Sequence, residues 1–174
     1  MPHDFDLLVI AEMNADLILR GDVVPEFGQV ERMIDDATLT IGSSAAIFAC
    51  GAARLGLRVA IVGKVGDDEF GHFMLREMAA RGVDTSGVIT DVTLKTGLSV
   101  ILSRPSGDRA ILTYSGTIAA LRYDEIDLRL LARARHLHMG SFYMLDALRP
   151  DAPRLFAAAR SAGLAAPPYT KHEP

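Results

Sequence analysis

Leu7-Leu8-Val9-Ile10 and Val59-Ala60-Ile61-Val62 are short runs with no polar residue at all. Such runs constrain a fold severely, because a strand that is apolar at every position must be covered on both faces. Between them, Ser43 to Leu55 is dense in alanine and free of proline, and it ends in Arg54-Leu55-Gly56. That pattern predicts a helix with a basic last turn and a glycine stop. Gly66-Asp67-Asp68 opens a second helix, running to about Arg81 and stopped by Gly82, with Asp67 or Asp68 capping its first amides. Strand, helix, strand and helix at this spacing predict an α/β sheet joined by crossover helices.

Two segments break the rhythm. Gly28 to Thr40 mixes Val30, Met33, Ile34 and Leu39 with charges. In Thr96 to Tyr114, Leu98, Val100 and Leu102 alternate with Ser99, Ile101 and Ser103, Pro105-Ser106-Gly107-Asp108 turns the chain, and Arg109 to Tyr114 returns. This is a hairpin, of the kind that forms a flap beside a main sheet. Afterwards a helix is expected from Asp124-Glu125, with Ile126, Leu128, Leu130 and Leu131 as its apolar residues. A strand follows around Arg135 to Met139, then a helix from about Asp151 to Ala162. After Gly163 a further core strand is due. The tail from Leu164 to Pro174 instead carries Pro167, Pro168 and Pro174, which argue against a central strand. The sheet is therefore expected to be incomplete, with an exposed edge open to pairing.

The chain has 174 residues and a formal net charge of -4. No Lys/Arg cluster interrupts that mild acidity, which argues against a nucleic-acid partner. One cysteine, Cys50, allows no internal disulfide and reads as a small core residue. The acidic start, Met1 to Asp6, precedes only a short apolar run, so neither a signal peptide nor a membrane span is expected, and the cytoplasm is the default compartment.

Several motifs invite a chemical reading. Gly42-Ser43-Ser44-Ala45-Ala46 sits at a helix start, where glycine permits close approach and free amides can hold hydroxyls or an anion. A serine-capped, alanine-packed helix is the structural alternative. Gly63-Lys64-Val65-Gly66-Asp67-Asp68-Glu69-Phe70-Gly71 lacks the Gly-Lys-Ser/Thr ending of a phosphate loop and reads as a capping turn. Asn14 and Asp16 follow the first strand, where the carboxyl ends of α/β sheets meet ligands. A carboxylate there can accept hydrogen bonds from two sugar hydroxyls, while a turn-forming pair is equally compatible with the composition. His136 and His138 share one face of a strand but are too few to hold a metal, and read as structural.

The order of these motifs resembles the N-terminal part of the ribokinase, or PfkB, carbohydrate kinases. The resemblance rests on Ile41-Gly42-Ser43-Ser44-Ala45-Ala46 leading to Ala53-Arg54-Leu55-Gly56, then Val62 to Gly71, with Asn14 and Asp16 before and Thr96-Gly97 and the hairpin after. It covers residues 6–163, with 164–174 as an atypical tail. It implies a ribokinase-like three-layer α/β/α sandwich, incomplete here, with a small β-lid formed by residues 17–40 and 96–114. It implies that Asp16 binds sugar hydroxyls, with Asn14 nearby, and that Gly42, Ser43 and Ser44 line the sugar pocket. It also implies a lid that often carries dimer contacts, so a homodimer is expected through the lid or, from the truncation, through the exposed sheet edge.

Two departures from that pattern matter. The family usually has two glycines at the helix start and an asparagine five positions after the first; here Ser43 and Ile47 stand in those places. Ile47 cannot hydrogen-bond a hydroxyl, so the usual sugar contact is missing. The family's ATP site, its Mg2+ and a Gly-Ala-Gly-Asp motif with the catalytic base belong to the C-terminal half, and no such motif occurs in these residues. The expectation is a truncated sugar kinase that binds neither ATP nor Mg2+ productively, with a non-catalytic sugar-binding or dimerisation module as the alternative. A shifted reading frame or a deletion near residue 164 accounts for the tail as well as a naturally short protein does.

Overall fold

The computed structural model describes residues 3–165. In chain order the elements are β1 (Phe5–Ile10), β2 (Asn14–Arg20), β3 (Asp36–Ile41), α1 (Ser44–Arg54), β4 (Val59–Val62), β5 (Lys64–Gly66), α2 (Glu69–Ala80), β6 (Val83–Asp84), β7 (Ile89–Asp91), β8 (Gly97–Ser103), β9 (Arg109–Tyr114), β10 (Ala134–Met139) and α3 (Ala152–Ser161), with short 3-10 turns between β9 and α3.

The body is a four-stranded parallel sheet in the order β10-β1-β4-β6. Successive residues of β1 serve opposite faces, as a strand requires. Leu7 and Val9 join one buried cluster with Ala45, Ala46 and Ala49 of α1 and Met74 and Met78 of α2. Leu8 and Ile10 join the other, with Leu155, Phe156 and Ala159 of α3. Helices thus cover both faces, giving the three layers that the apolar runs require. Among the described residues, no helix is long and apolar enough to cross a membrane.

A second four-stranded sheet, ordered β3-β2-β8-β9, stands beside the body. Here β2 runs parallel to β8, while β2–β3 and β8–β9 are antiparallel. Asn14 and Asp16 do not form the alternative turn: they lie in β2, the strand by which the chain enters this sheet. The chain leaves β1 and enters β2 after only Ala11, Glu12 and Met13, so no turn residues are needed.

The expected helix from Asp124 is also replaced. Two 3-10 turns, Tyr123–Glu125 and Leu128–Arg133, flank an extended Ile126. The Asp127 carboxylate accepts from the Arg129 amide at 3.0 Å, a local bond that competes with helix continuation. The break lets Tyr123, Ile126, Leu130 and Leu131 all reach one core cluster.

The edge after Gly163 is not wholly open. Ala165 forms a parallel bridge with His136, donating to the Arg135 carbonyl at 3.0 Å and accepting from the Leu137 amide at 3.2 Å. The three prolines of the tail lie outside the described residues.

Candidate functional site

Asn14 and Asp16, two residues apart in β2, face the same side of the second sheet. The Asn14 amide is buried and donates to Asp16 Oδ1 at 2.8 Å and to Ser99 Oγ at 3.4 Å. Ser99 Oγ in turn lies 3.0 Å from Thr113 Oγ1. A polar row therefore crosses β2, β8 and β9. Burial pushes the Asp16 carboxyl above its ordinary range, and the Asn14 amide pulls it part of the way back.

Gly42 closes this cluster. Its amide donates to the Asn14 carbonyl at 3.0 Å, and a Cβ at this position would collide with the Asn14 amide and the Asp16 carboxylate. The serines behave differently. Ser43 is the N-cap of α1 at φ 63 and ψ 121, and its hydroxyl accepts from the Ala46 amide at 3.1 Å. That hydroxyl is committed to the helix, in line with the capping alternative. Ser44 is exposed, and its Oγ lies 2.9 Å from Ser141 Oγ, just past β10. The fold thus brings Asn14, Asp16 and Gly42 together and leaves Ser43 and Ser44 with other partners.

Asp16 opens into a cleft of about 500 Å3 between the second sheet and α1. One wall holds Asp16, Ile18, Thr40, Ile101 and Arg109; the other holds Ile47, Cys50, Gly51 and Arg54 of α1, with Arg81 beyond α2. The α1 residues are spaced i, i+3, i+4 and i+7, one stripe of a helix. Ile47, 55% exposed, presents an apolar surface where a polar contact was expected to be missing. Sequence reasoning did not find Ser99, Thr113 or the three arginines. The alternation of Ser99 with Leu98 and Val100 is the only local signal for any of them.

A larger groove, about 640 Å3, lies beside Asp68, Phe70, Thr96 and Tyr114. Several of its polar groups are already engaged in capping: Asp68 accepts from the Gly71 amide at 2.9 Å and the Thr96 amide at 2.8 Å, and Thr96 Oγ1 accepts from the Gly66 amide at 2.8 Å. Burial raises the Asp68 carboxyl, but these hydrogen bonds outweigh it and hold the group below its ordinary range. Within the Gly63–Gly71 motif Lys64–Gly66 forms β5 and Asp68 caps α2, so the capping role that its sequence indicates falls to Asp68. His138 packs against Phe48 with ring centroids 4.4 Å apart, while His136 is exposed. Among the described residues, no group of three or more His, Cys, Asp or Glu side chains is arranged to hold a metal ion. Glu12 is buried at the β1–β2 junction, and its Oε2 lacks a hydrogen-bond partner there.

Comparison with known proteins matches the chain to one family. A sequence profile described as "pfkB family carbohydrate kinase" matches residues 4–172. "Probable fructokinase-3" of Arabidopsis thaliana is 37% identical over 106 residues, covering 60% of this chain and 31% of that protein. The crystal structure of a PfkB protein from Polaromonas sp. JS666 superposes with a TM-score of 0.77 at 26% identity, covering 93% of this chain and 54% of that one. An Arabidopsis thaliana ribokinase complexed with ribose and ATP has a TM-score of 0.77 at 20% identity, covering 95% and 53%. The chain thus spans about a third of that curated relative and about half of each of these solved neighbours.

Proposed function

The chain belongs to the pfkB carbohydrate kinase family, and from that premise we propose that its 174 residues form the acceptor-binding half of a sugar kinase. The observation that carries this reading is the Asn14–Asp16–Gly42 cluster. It presents a half-buried carboxylate, fixed by an amide, to a cleft large enough for a sugar. Asp16 accepts hydrogen bonds from sugar hydroxyls there. Gly42 leaves the space that a side chain would fill, and Ser43 and Ser44 contribute backbone and helix geometry rather than free hydroxyls. The second sheet acts as a lid whose approach to α1 excludes water from the acceptor.

ATP is the donor in this reading, bound with Mg2+ by residues outside the 174. Magnesium is usually held by one or two carboxylates together with substrate phosphates. Glu12 is a buried carboxylate, but among the described residues no group of three or more His, Cys, Asp or Glu side chains could hold a metal ion, so no step is assigned to one. Phosphoryl transfer rests on positioning and charge stabilisation. The 174 residues alone, with no Gly-Ala-Gly-Asp sequence, are therefore expected to bind sugar without turning over ATP. A cytoplasmic location is part of the same reading.

One observation favours a second role as a dimerisation module. On the lid face opposite Asp16, Leu39, Leu112 and Tyr114 are exposed, the last two at 63% and 54%. An apolar sheet face of this kind marks an interaction surface, and a homodimer through the lid would cover it. Calorimetric titration with sugars, a coupled ATPase assay and light scattering on wild type and Leu112→Glu test all three parts. Saturable sugar binding lost in Asp16→Ala, no ATP turnover, and a dimer that dissociates in Leu112→Glu are expected. Absence of sugar binding, or sugar phosphorylation by the chain itself, would overturn the acceptor-half reading. A wild-type monomer would remove the dimer.

A further inference from the structure

We propose that the acceptor bound in this cleft is an anionic sugar, carrying a carboxylate or phosphate at the end remote from Asp16. This rests on the acceptor reading above and specifies its substrate class. The cleft has polarity along its length. Asp16 and Thr40 lie near the start of α1, while Arg54, Arg81 and Arg109 line it elsewhere. From Ile47 to Arg54 the stripe on α1 advances about 10 Å at the helical rise, a span suited to a sugar chain with a charged terminus.

The arginines come from three separate elements: the last turn of α1, the loop after α2, and the first residue of β9. Arg81 is tied to Glu77, its Nη1 lying 2.8 Å from the carboxylate. Arg54 and Arg109 are exposed and form no side-chain ion pair or hydrogen bond among the described residues. In a chain of net charge -4, two uncommitted guanidinium groups lining one cleft, with Asp16 its only acidic lining residue among those described, mark it for an anion. Ile47 fits the same picture, since an apolar residue on the cleft wall leaves recognition to the polar groups that line it. Arg109 rides on the lid and Arg54 on the body, so an anion held between them ties the lid shut.

The test is calorimetric titration of the 174-residue chain with D-fructose, D-gluconate, D-fructose 6-phosphate and inorganic phosphate. At low salt, at least one anionic sugar is expected to bind ten times or more tightly than D-fructose. Gluconate against fructose 6-phosphate separates a carboxylate from a phosphate. Arg54→Ala and Arg109→Ala, both surface changes checked for an unaltered melt, are each expected to weaken the anionic sugar about tenfold and to leave D-fructose unchanged. Equal affinity for D-fructose with no effect of either variant overturns the inference and leaves the acceptor reading standing. No binding of any sugar removes both. Inorganic phosphate binding as tightly as the anionic sugars, or an Asp16→Asn variant that binds them as well as wild type, reduces the arginines to an unrelated anion patch and also overturns it.

Discussion

Ser43 offers a sharp test of how α1 starts. Its φ of 63 and ψ of 121 place an L-residue where glycine is at ease, and its hydroxyl simultaneously caps the helix. Holding a non-glycine residue in such a region costs about 1–3 kcal/mol. Ser43→Gly removes that strain. It loses only a few tenths of a kcal/mol of capping, and it adds about 0.4–1 kcal/mol of backbone entropy to the unfolded chain. The balance is a gain of about 1 kcal/mol. Ser43→Ala keeps the strained Cβ and loses the cap, a loss of about 1 kcal/mol. For a chain of this length, each kcal/mol moves the melting temperature by about 2–4 °C. Calorimetric melts should therefore rank glycine above serine above alanine, with about 4–8 °C between the extremes. If glycine and alanine both lower the melt by similar amounts, the backbone at residue 43 is not strained and the reasoning is wrong.

Asp16→Asn is expected to raise stability while abolishing acceptor binding. Because the folded state holds the Asp16 proton more tightly than the unfolded chain does, stability falls as pH rises through this titration and stays lower above it. The variant's melting advantage should accordingly be largest at neutral pH and close as pH drops into the ordinary carboxylate range. An advantage independent of pH refutes the assignment. Gly42→Ala drives a methyl group against Asn14 and Asp16, and should lower stability by about 1–3 kcal/mol and eliminate sugar binding by calorimetry. Unaltered binding would show that the close approach is not needed. Asp68→Ala removes a helix cap and the hydrogen bond to Thr96, together about 2 kcal/mol. Since the Asp68 carboxyl is held low in the folded state, its contribution is present above the ordinary carboxylate range and lost as pH falls through the folded value. Wild-type and variant melts should therefore converge in acid.

The body was legible from sequence because its signals are local. β4 and the Leu7–Ile10 part of β1 are uninterrupted apolar runs, and α1 and α2 carry their stops in Gly56 and Gly82, both at positive φ. The β8–β9 hairpin announced itself through alternation around a glycine turn. β2 was missed because nothing between Ile10 and Asn14 marks an end; the strand changes sheets without a turn, and its pairing with β8 lies more than 80 residues away. The helix expected from Asp124 failed because a side chain, Asp127, captured the backbone that the helix needed. At the site, Asn14, Asp16 and Gly42 were singled out by their places at a strand end and a helix start, and the fold sets them side by side. The arginines were invisible for a different reason: Arg54, Arg81 and Arg109 are far apart in a chain with no basic cluster, and only the fold collects them.

The short passage Ala11-Glu12-Met13 between the two sheets makes the second sheet a lever with its fulcrum beside Asn14 and Asp16. Asn14 sits at that fulcrum, pinned to Gly42 by a backbone hydrogen bond. With about 3.3 Å per residue along β2, a swing of about 10° carries the far end of the strand roughly 3.5 Å but shifts Asp16 by only about 1 Å. In the acceptor reading, opening would admit a bulky molecule at the tip while the carboxylate stays in register with Gly42, and a substitution at Ala11 or Met13 that loosens the fulcrum would blur the site from outside it.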